Sequence, residues 1–329
     1  MGKHNETKEK RRKRRKKHTG RKIFLFFIII CIAFGVYIAK RIDELDGNWM
    51  ALILGHNKET IENLDTIQFL ILGESTGMSD TIIACSYNPK TQSASMLSIP
   101  RDTYVENGNY RYSAQNKINS LFNGGETPEK TMEAVNEITG LDLKYYILVD
   151  TEALIKLVDL IGGLDFDVPR DMKYDDYTQD LHIDLKAGMQ HLSGQQVEHL
   201  VRFRHNNDGS SYSYEYGNED YGRMRTQRDV IIAIAKQTLK FKNIKEIKNL
   251  INIMQKYVNT NMNFSLIADY VPYAMKINME NIQTAQLPGK SDLRGGGWFF
   301  FHDEQETENI VNQLFYEQEI VEEEIVTSN

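Results

Sequence analysis

Residues 67–73 read IQFLILG and residues 81–102 read TIIACSYNPKTQSASMLSIPRD, and the spacing of apolar runs and breaks here decides the fold. Ile67–Leu72 is a short apolar run ended by Gly73, and Thr81–Tyr87 is a second. Runs of this length between turn signals predict buried strands rather than helices. Asn88-Pro89-Lys90-Thr91 predicts a turn, after which Ser93–Ile99 resumes the sheet as a hairpin partner.

Helical signals follow. Thr127 as a cap, Pro128 at the first helical position and Glu129 in the first turn predict a helix that ends before Gly140. Tyr145–Val149 reads as a strand, and Asp150 caps a helix over Thr151–Leu160 that stops at Gly162-Gly163. An extended stretch then runs to Pro169. Ser193 with Gln196 makes a capping box for a short helix, Val201–Arg204 reads as extended, and Asn206–Asn218 is a surface loop. A long helix is predicted over about Tyr221–Phe241, with Met224, Val230, Ile231, Ile234 and Leu239 near helical spacing. Ile244–Val258 and Asp303–Tyr316 are predicted as further helices. Strands and helices alternating in this way signal a layered α/β domain.

The formal charge of −7 over 329 residues hides an asymmetry. Residues 1–22 carry twelve Lys/Arg against Glu6 and Glu9, a net +10, which leaves −17 for the rest. Such a split suits a tail in one environment and a body in another. Ile23–Ala39 supplies the boundary: 17 uncharged, mostly apolar residues closed by Lys40 and Arg41. At about 1.5 Å per helical residue this run spans ~26 Å, enough for a thin hydrocarbon core.

The basic cluster before the run places residues 1–22 in the cytoplasm and the remainder outside. Cleavage at Ala33-Phe34-Gly35 is the rival reading, but the apolar run continues through Val36, Tyr37 and Ile38, so an uncleaved anchor is expected. Ile30 before Cys31 is too bulky for lipoprotein processing. The expected organisation is a tail over 1–22, a transmembrane helix over 23–39, a stalk over 40–65, a catalytic domain over 66–320 and an acidic tail over 321–329. Cys31 lies in the span and Cys85 in a strand, so an exported domain would carry no disulfide.

Four arginines stand beside backbone breaks: Arg101 after Pro100, Arg202 and Arg204 around Phe203, and Arg223 opening the long helix. In an extended segment Arg202 and Arg204 would share a face, each addressing one phosphate of a pyrophosphate, while Phe203 turns to the core. Asp220, Arg223 and Gln227 lie three and four apart, on one side of a helix N-terminus that favours anions. Asp80, Asp102 and Asp220 are carboxylates suited to a hard cation such as Mg²⁺. Taken singly, each arginine also reads as a solvated charge or an ion-pair partner, and Asp80 as a strand-start residue. The eight histidines show no metal-ligand spacing, and P-loop, GxSxG and dinucleotide motifs are absent.

Several ordered motifs together resemble one family. Met78-Ser79-Asp80-Thr81, Ser98-Ile99-Pro100-Arg101-Asp102, and Lys117-Ile118-Asn119-Ser120 with Gly124-Gly125 are similar to the LytR-CpsA-Psr family. So are Leu157-Val158-Asp159, Ile161–Asp165 with Val168-Pro169, Leu192-Ser193-Gly194-Gln195, Arg202-Phe203-Arg204, and Asp220-Tyr221-Gly222-Arg223 with Gln227. The likeness runs over about residues 66 to 240.

It implies an α/β/α layered domain with a central mixed sheet behind one transmembrane helix. It also implies a Mg²⁺-dependent phosphotransferase that moves an anionic glycopolymer from undecaprenyl pyrophosphate to peptidoglycan through a phosphodiester. Carried over, Arg101, Arg202, Arg204, Arg223 and Gln227 hold the pyrophosphate, Lys117 contacts a phosphate, Asp80 holds the metal, and an apolar tunnel takes the polyprenyl chain. Two positions depart from the family pattern. Gly73-Glu74-Ser75 stands where Gly-x-Asp is usual, and Met78 stands where an arginine is usual. These departures keep a second reading in view, a non-catalytic binder of the polyprenyl pyrophosphate that attenuates envelope assembly. A tail of 22 residues without a helix-turn-helix pattern offers only sequence-independent attraction to nucleic acid, so no specific nucleic-acid partner is expected.

Overall fold

The structure, a computed structural model, describes residues 35–45, 48, 51–52, 55–75, 77–108, 110–122, 128–238, 252–274 and 276–316. The tail over 1–22, most of the expected span over 23–39, the Thr127 cap and the acidic tail over 321–329 lie outside these residues. Among the described residues no helix is long and apolar enough to cross a membrane. The chain divides into two compact units, residues 1–63 and 64–329. The first contains helical turns over 35–44 and Lys58–Glu62.

The second unit is built on a six-stranded sheet in the order β10-β3-β2-β1-β4-β9. The strands are β1 (Ile67–Ser75), β2 (Met78–Asn88), β3 (Ser93–Ser98), β4 (Tyr145–Asp150), β9 (Val258–Thr260) and β10 (Ile282–Gln286). The first three form the expected antiparallel meander, whereas β4 lies parallel to β1 and β10 parallel to β3. The sheet is therefore mixed. Alternation along β1 explains its layers: Leu70 and Leu72 enter one core cluster, and Phe69 and Ile71 pack against another on the opposite face.

The first face is covered by α1 (Glu129–Thr139), through Met132 and Val135, and by the C-terminal segment holding Val311, Leu314 and Phe315. The second face meets Ile231 and Ile232 of α4 (Asp220–Thr238). A further cluster lies beyond, joining α2 (Thr151–Leu160) and α3 (Gly194–Arg202) to four short strands. These are β5 (Leu164–Val168), β6 (Met172–Asp176), β7 (Leu181–Leu185) and β8 (Gly188–Leu192), paired as β5-β8 and β6-β7. Val230 belongs to this cluster, so α4 is held from both sides.

The capping chemistry follows the sequence. Asp150 accepts a hydrogen bond from the Ala153 amide at 2.7 Å, and Ser193 and Gln196 exchange the reciprocal bonds of a capping box. Two expectations are corrected. Val201–Arg204 is not an extended run, because α3 continues through Arg202 and only Phe203 turns extended. Val197 and Leu200 bury on its inner face, and Glu198 pairs with Arg202 one turn on, which sustains the last turn. Nor does a helix reach Val258. Residues 252–257 are helical, but Val258–Thr260 pairs with β4 as an edge strand, fixed by Asn261 accepting from the Tyr146 amide at 2.9 Å.

Gly222 marks where this packing is tightest. A Cβ there would fall 2.2 Å from the Gly217 carbonyl oxygen and 2.4 Å from the Tyr212 ring. Tyr212 is itself buried against Phe203, with centroids 5.5 Å apart. Gly222→Ala is expected to cost roughly 1–3 kcal/mol through overpacking. Equilibrium denaturation measures it, and a variant as stable as wild type would show that this contact is loose.

Candidate functional site

A cavity of ≈430 Å³ opens between the second face of the sheet and the layer beyond it. One end is polar, with Asp80 of β2, Arg101 after β3, Arg202 at the end of α3, Arg204 after it, and Arg223 and Gln227 on the first turns of α4. The lining also includes aliphatic Ile71, Val149, Leu154, Leu157, Val230 and Ile234, with Asp150, Thr151, Tyr174 and His205 among them. Segments more than a hundred residues apart in sequence thus supply one cavity with both cationic and aliphatic lining.

Asp220 organises the polar end. Its carboxylate lies 2.6 Å from Arg223 Nη2, 3.8 Å from Arg204 Nε and 3.9 Å from Arg101 Nε. Arg101 donates from Nη1 to Asp80 at 2.6 Å. Three guanidinium groups thus face two carboxylates, and one of these, Asp220, is shared by all three. The close Arg223–Asp220 approach lacks hydrogen-bond alignment, so Arg223 Nη2 and Asp220 Oδ1 gain charge contact without a directed bond. The buried Nε atoms of Arg101, Arg204 and Arg223 also have no hydrogen-bond partner in the structure.

Buried unpaired donors are costly, and their concentration at one cavity end points to an anionic ligand that would satisfy them. Burial pulls the Arg223 pKa below its ordinary value, with Arg101 and Arg204 adding to the effect and Asp220 opposing it. Arg101 feels the same burial, but Asp220 and Asp80 outweigh it and hold its pKa above the ordinary value. Both remain guanidinium cations at neutral pH. The positive end of the α4 dipole adds to the field at this point.

Arg202 is held differently. Its Nη1 donates to buried Glu198 at 2.7 Å and its Nη2 to Gln179 at 2.9 Å. Arg204 donates to Glu219 at 3.2 Å, and Gln227 donates to the Val201 carbonyl at 3.1 Å. Sequence reading missed Gln179, Glu198 and Glu219, which aim the arginines. The i, i+4 spacing of Glu198 and Arg202 was a usable signal for one of them, whereas Gln179 reaches the site only through the β6-β7 turn.

Not every expected residue reaches the cavity. Lys117 pairs with Asp102 at 2.8 Å, its ammonium 5.6 Å from the Phe299 ring, and neither residue lines the cavity. Met78 is 42% exposed and also outside the lining, while Glu74 and Ser75 are within it. Among the described residues no three His, Cys, Asp or Glu side chains gather as a protein-only metal cage. The donor set does fit Mg²⁺, which takes one or two carboxylates and completes its shell with phosphate oxygens and water. Asp80 and Asp220, both on Arg101 and the latter with an unsatisfied oxygen, are the residues that would hold it.

Comparison with known proteins gives the family and the fold. Residues 3–316 match the model of the LytR_cpsA_psr family. The chain belongs to that family. A protein of Bacillus cereus named polyisoprenyl-teichoic acid–peptidoglycan teichoic acid transferase TagU is 28% identical over 266 residues, covering 79% of this chain and 81% of its own length. The crystal structure of Bacillus subtilis TagV shares the fold at 24% identity and a TM-score of 0.63, covering 76% of this chain and 96% of TagV. A structure described as TagT bound to LIIa-WTA shares it at 20% identity and a TM-score of 0.57, over 76% and 89% of the two chains.

Arg223 separates binding from stability. Replacing it with Met removes a buried, under-bonded cation and leaves Asp220 facing Arg101 and Arg204, so the cost to thermal stability should be small. Inorganic pyrophosphate should bind about 10–100-fold more weakly, the loss of one or two charge-assisted bonds. Calorimetric titration and a thermal melt of the same preparation test this, and undiminished pyrophosphate affinity would place the anion elsewhere.

Proposed function

We propose that the protein transfers an anionic glycopolymer from a polyprenyl-pyrophosphate carrier to peptidoglycan, joining the two through a phosphodiester. The observation that carries this reading is a cavity that joins arginines with unsatisfied guanidinium groups to a broad run of aliphatic side chains. A pyrophosphate bearing a long hydrocarbon chain has that same division. The TagU relative supports it, since its name describes this class of transfer.

In the step itself an acceptor sugar hydroxyl attacks the phosphorus that carries the polymer. A new P–O bond to the acceptor forms as the bridging P–O bond breaks, polyprenyl phosphate departs, and the hydroxyl proton passes to solvent. Arg101, Arg204 and Arg223 neutralise charge on the non-bridging and leaving oxygens, which is the main requirement of phosphoryl transfer. Arg202, fixed by Glu198 and Gln179, orients the second phosphate. Gln227 closes the polar end. Bound Mg²⁺, held by Asp80 and Asp220 together with phosphate oxygens, would supply further neutralisation of the pyrophosphate.

Anchoring fits the same scheme. A carrier lipid keeps its head group at the membrane surface, so an apolar span over Ile23–Ala39 with a cytoplasmic basic tail would hold the domain beside its donor. The domain then works on the outer side, where peptidoglycan is.

Reconstitution with a polyprenyl-pyrophosphate-linked saccharide, peptidoglycan and Mg²⁺ is expected to give a phosphodiester-linked product. EDTA should abolish it, and Asp80→Asn should lower kcat by about 10²–10³-fold. No product under conditions where a family transferase is active would reject the enzyme reading and favour a binder of the carrier alone.

A further inference from the structure

The hairpin formed by β11 (Gly289–Arg294) and β12 (Gly297–His302) carries an exposed apolar pair and is hydrogen-bonded to the segment that follows Arg101. Leu293 and Trp298 face each other across the hairpin and are 54% and 61% exposed. The turn between the strands is Gly295-Gly296, both at positive φ, the backbone of a tight two-residue hairpin. A Cβ at Gly295 would lie 2.6 Å from the Tyr112 carbonyl oxygen, so the tip is seated and the pair is presented on a fixed base.

Three contacts tie this hairpin to the site. The Phe300 amide donates to the Asp102 carbonyl at 2.9 Å and the Tyr104 amide donates to the Phe300 carbonyl at 2.8 Å, which links β12 to the segment carrying Arg101. Ser291 lies within reach of the Tyr221 hydroxyl, and Tyr221 follows Asp220 at the start of α4. Strand alternation puts Ser291, Leu293, Trp298 and Phe300 on one face. Phe300 buries in the core, Ser291 meets Tyr221, and Leu293 and Trp298 continue the same face outward by about 7 Å, the length of two strand residues. None of the hairpin lines the apolar cavity.

Resting on the transfer reading above, we infer that Trp298 and Leu293 form the platform for the acceptor glycan of peptidoglycan. An indole offers a flat, polarisable face to the C–H edges of a pyranose ring, and a sugar stacked there would lie on the strand whose Phe300 bonds Asp102, the residue after Arg101. The charge pattern selects the acceptor over the anionic donor polymer. Lys290, Asp292 and Arg294 alternate onto the other face, where Arg294 closes on Asp292 at 2.7 Å. The Trp298 face therefore carries no Lys, Arg, Asp or Glu of its own strands, only His302 at the far end of the hairpin, and suits an uncharged N-acetylated sugar.

The test uses the full chain in detergent with a peptide-free peptidoglycan oligosaccharide and, separately, soluble teichoic acid polymer as probes. Wild type should bind the oligosaccharide by calorimetry, and Trp298→Ala should weaken it about tenfold, the scale of one lost aromatic stacking contact. Trp298→Phe should recover most of that loss. In the transfer assay Trp298→Ala should raise the acceptor KM about tenfold, leave kcat at saturating acceptor within about twofold, and leave the donor KM unchanged. An unchanged acceptor KM, or a raised donor KM with weaker polymer binding, overturns the platform assignment. Oligosaccharide binding that needs Trp298, in a wild type that transfers nothing, would sink the enzyme reading and leave the platform standing.

Discussion

One carboxylate holds three guanidinium groups in place. Arg101, Arg204 and Arg223 come from a loop after the sheet, a loop after α3 and the first turn of α4, and all approach Asp220. Without a shared counter-charge, three cations in a partly closed cavity would repel one another and displace those segments. With Asp220 shared by all three, and Asp80 and Glu219 each pairing one of them, their repulsion is restrained but their buried Nε donors are not used up. The molecule is left stable enough to fold and short of acceptors where a phosphate oxygen would supply them.

The fold exists to bring those segments together. Buried Leu70, Leu72, Ile82 and Leu97 fix the sheet, and its second face then has to be covered by α4. Because α4 also supplies Val230 to the outer cluster, its N-terminus cannot drift from the cavity. Gly222 allows Tyr212 to pack directly on its first turn. Arg223, one residue later, is buried for the same reason, and its burial is what strips it of water. Packing and electrostatics are here one constraint.

Much of this was readable from residue order. The strands over 67–99 followed from short apolar runs and an Asn-Pro turn, and the Asp150 and Ser193 caps followed from local hydrogen-bond chemistry that does not need tertiary context. The Arg202-Phe203-Arg204 segment was misread because capping rules mark where a helix starts more firmly than where it ends. Its i, i+2 symmetry vanished once Arg202 proved helical. Asp102 and Lys117 resembled site residues by motif, yet only three dimensions reveal that they neutralise each other beside Phe299. Gln179 and the Tyr221–Ser291 link depend on contacts across 23 and 70 residues, which no local pattern encodes.

The central claim is that the Asp220-centred arginine cluster receives a pyrophosphate while the aliphatic wall receives its lipid. A crystal structure of the full chain with a polyprenyl pyrophosphate tests this most directly. Phosphate oxygens should lie within hydrogen-bond distance of Arg101 Nε, Arg204 Nε and Arg223, with the hydrocarbon running past Ile71, Leu157 and Ile234. A head group bound elsewhere, with the three guanidinium groups still turned on Asp220, would contradict the account.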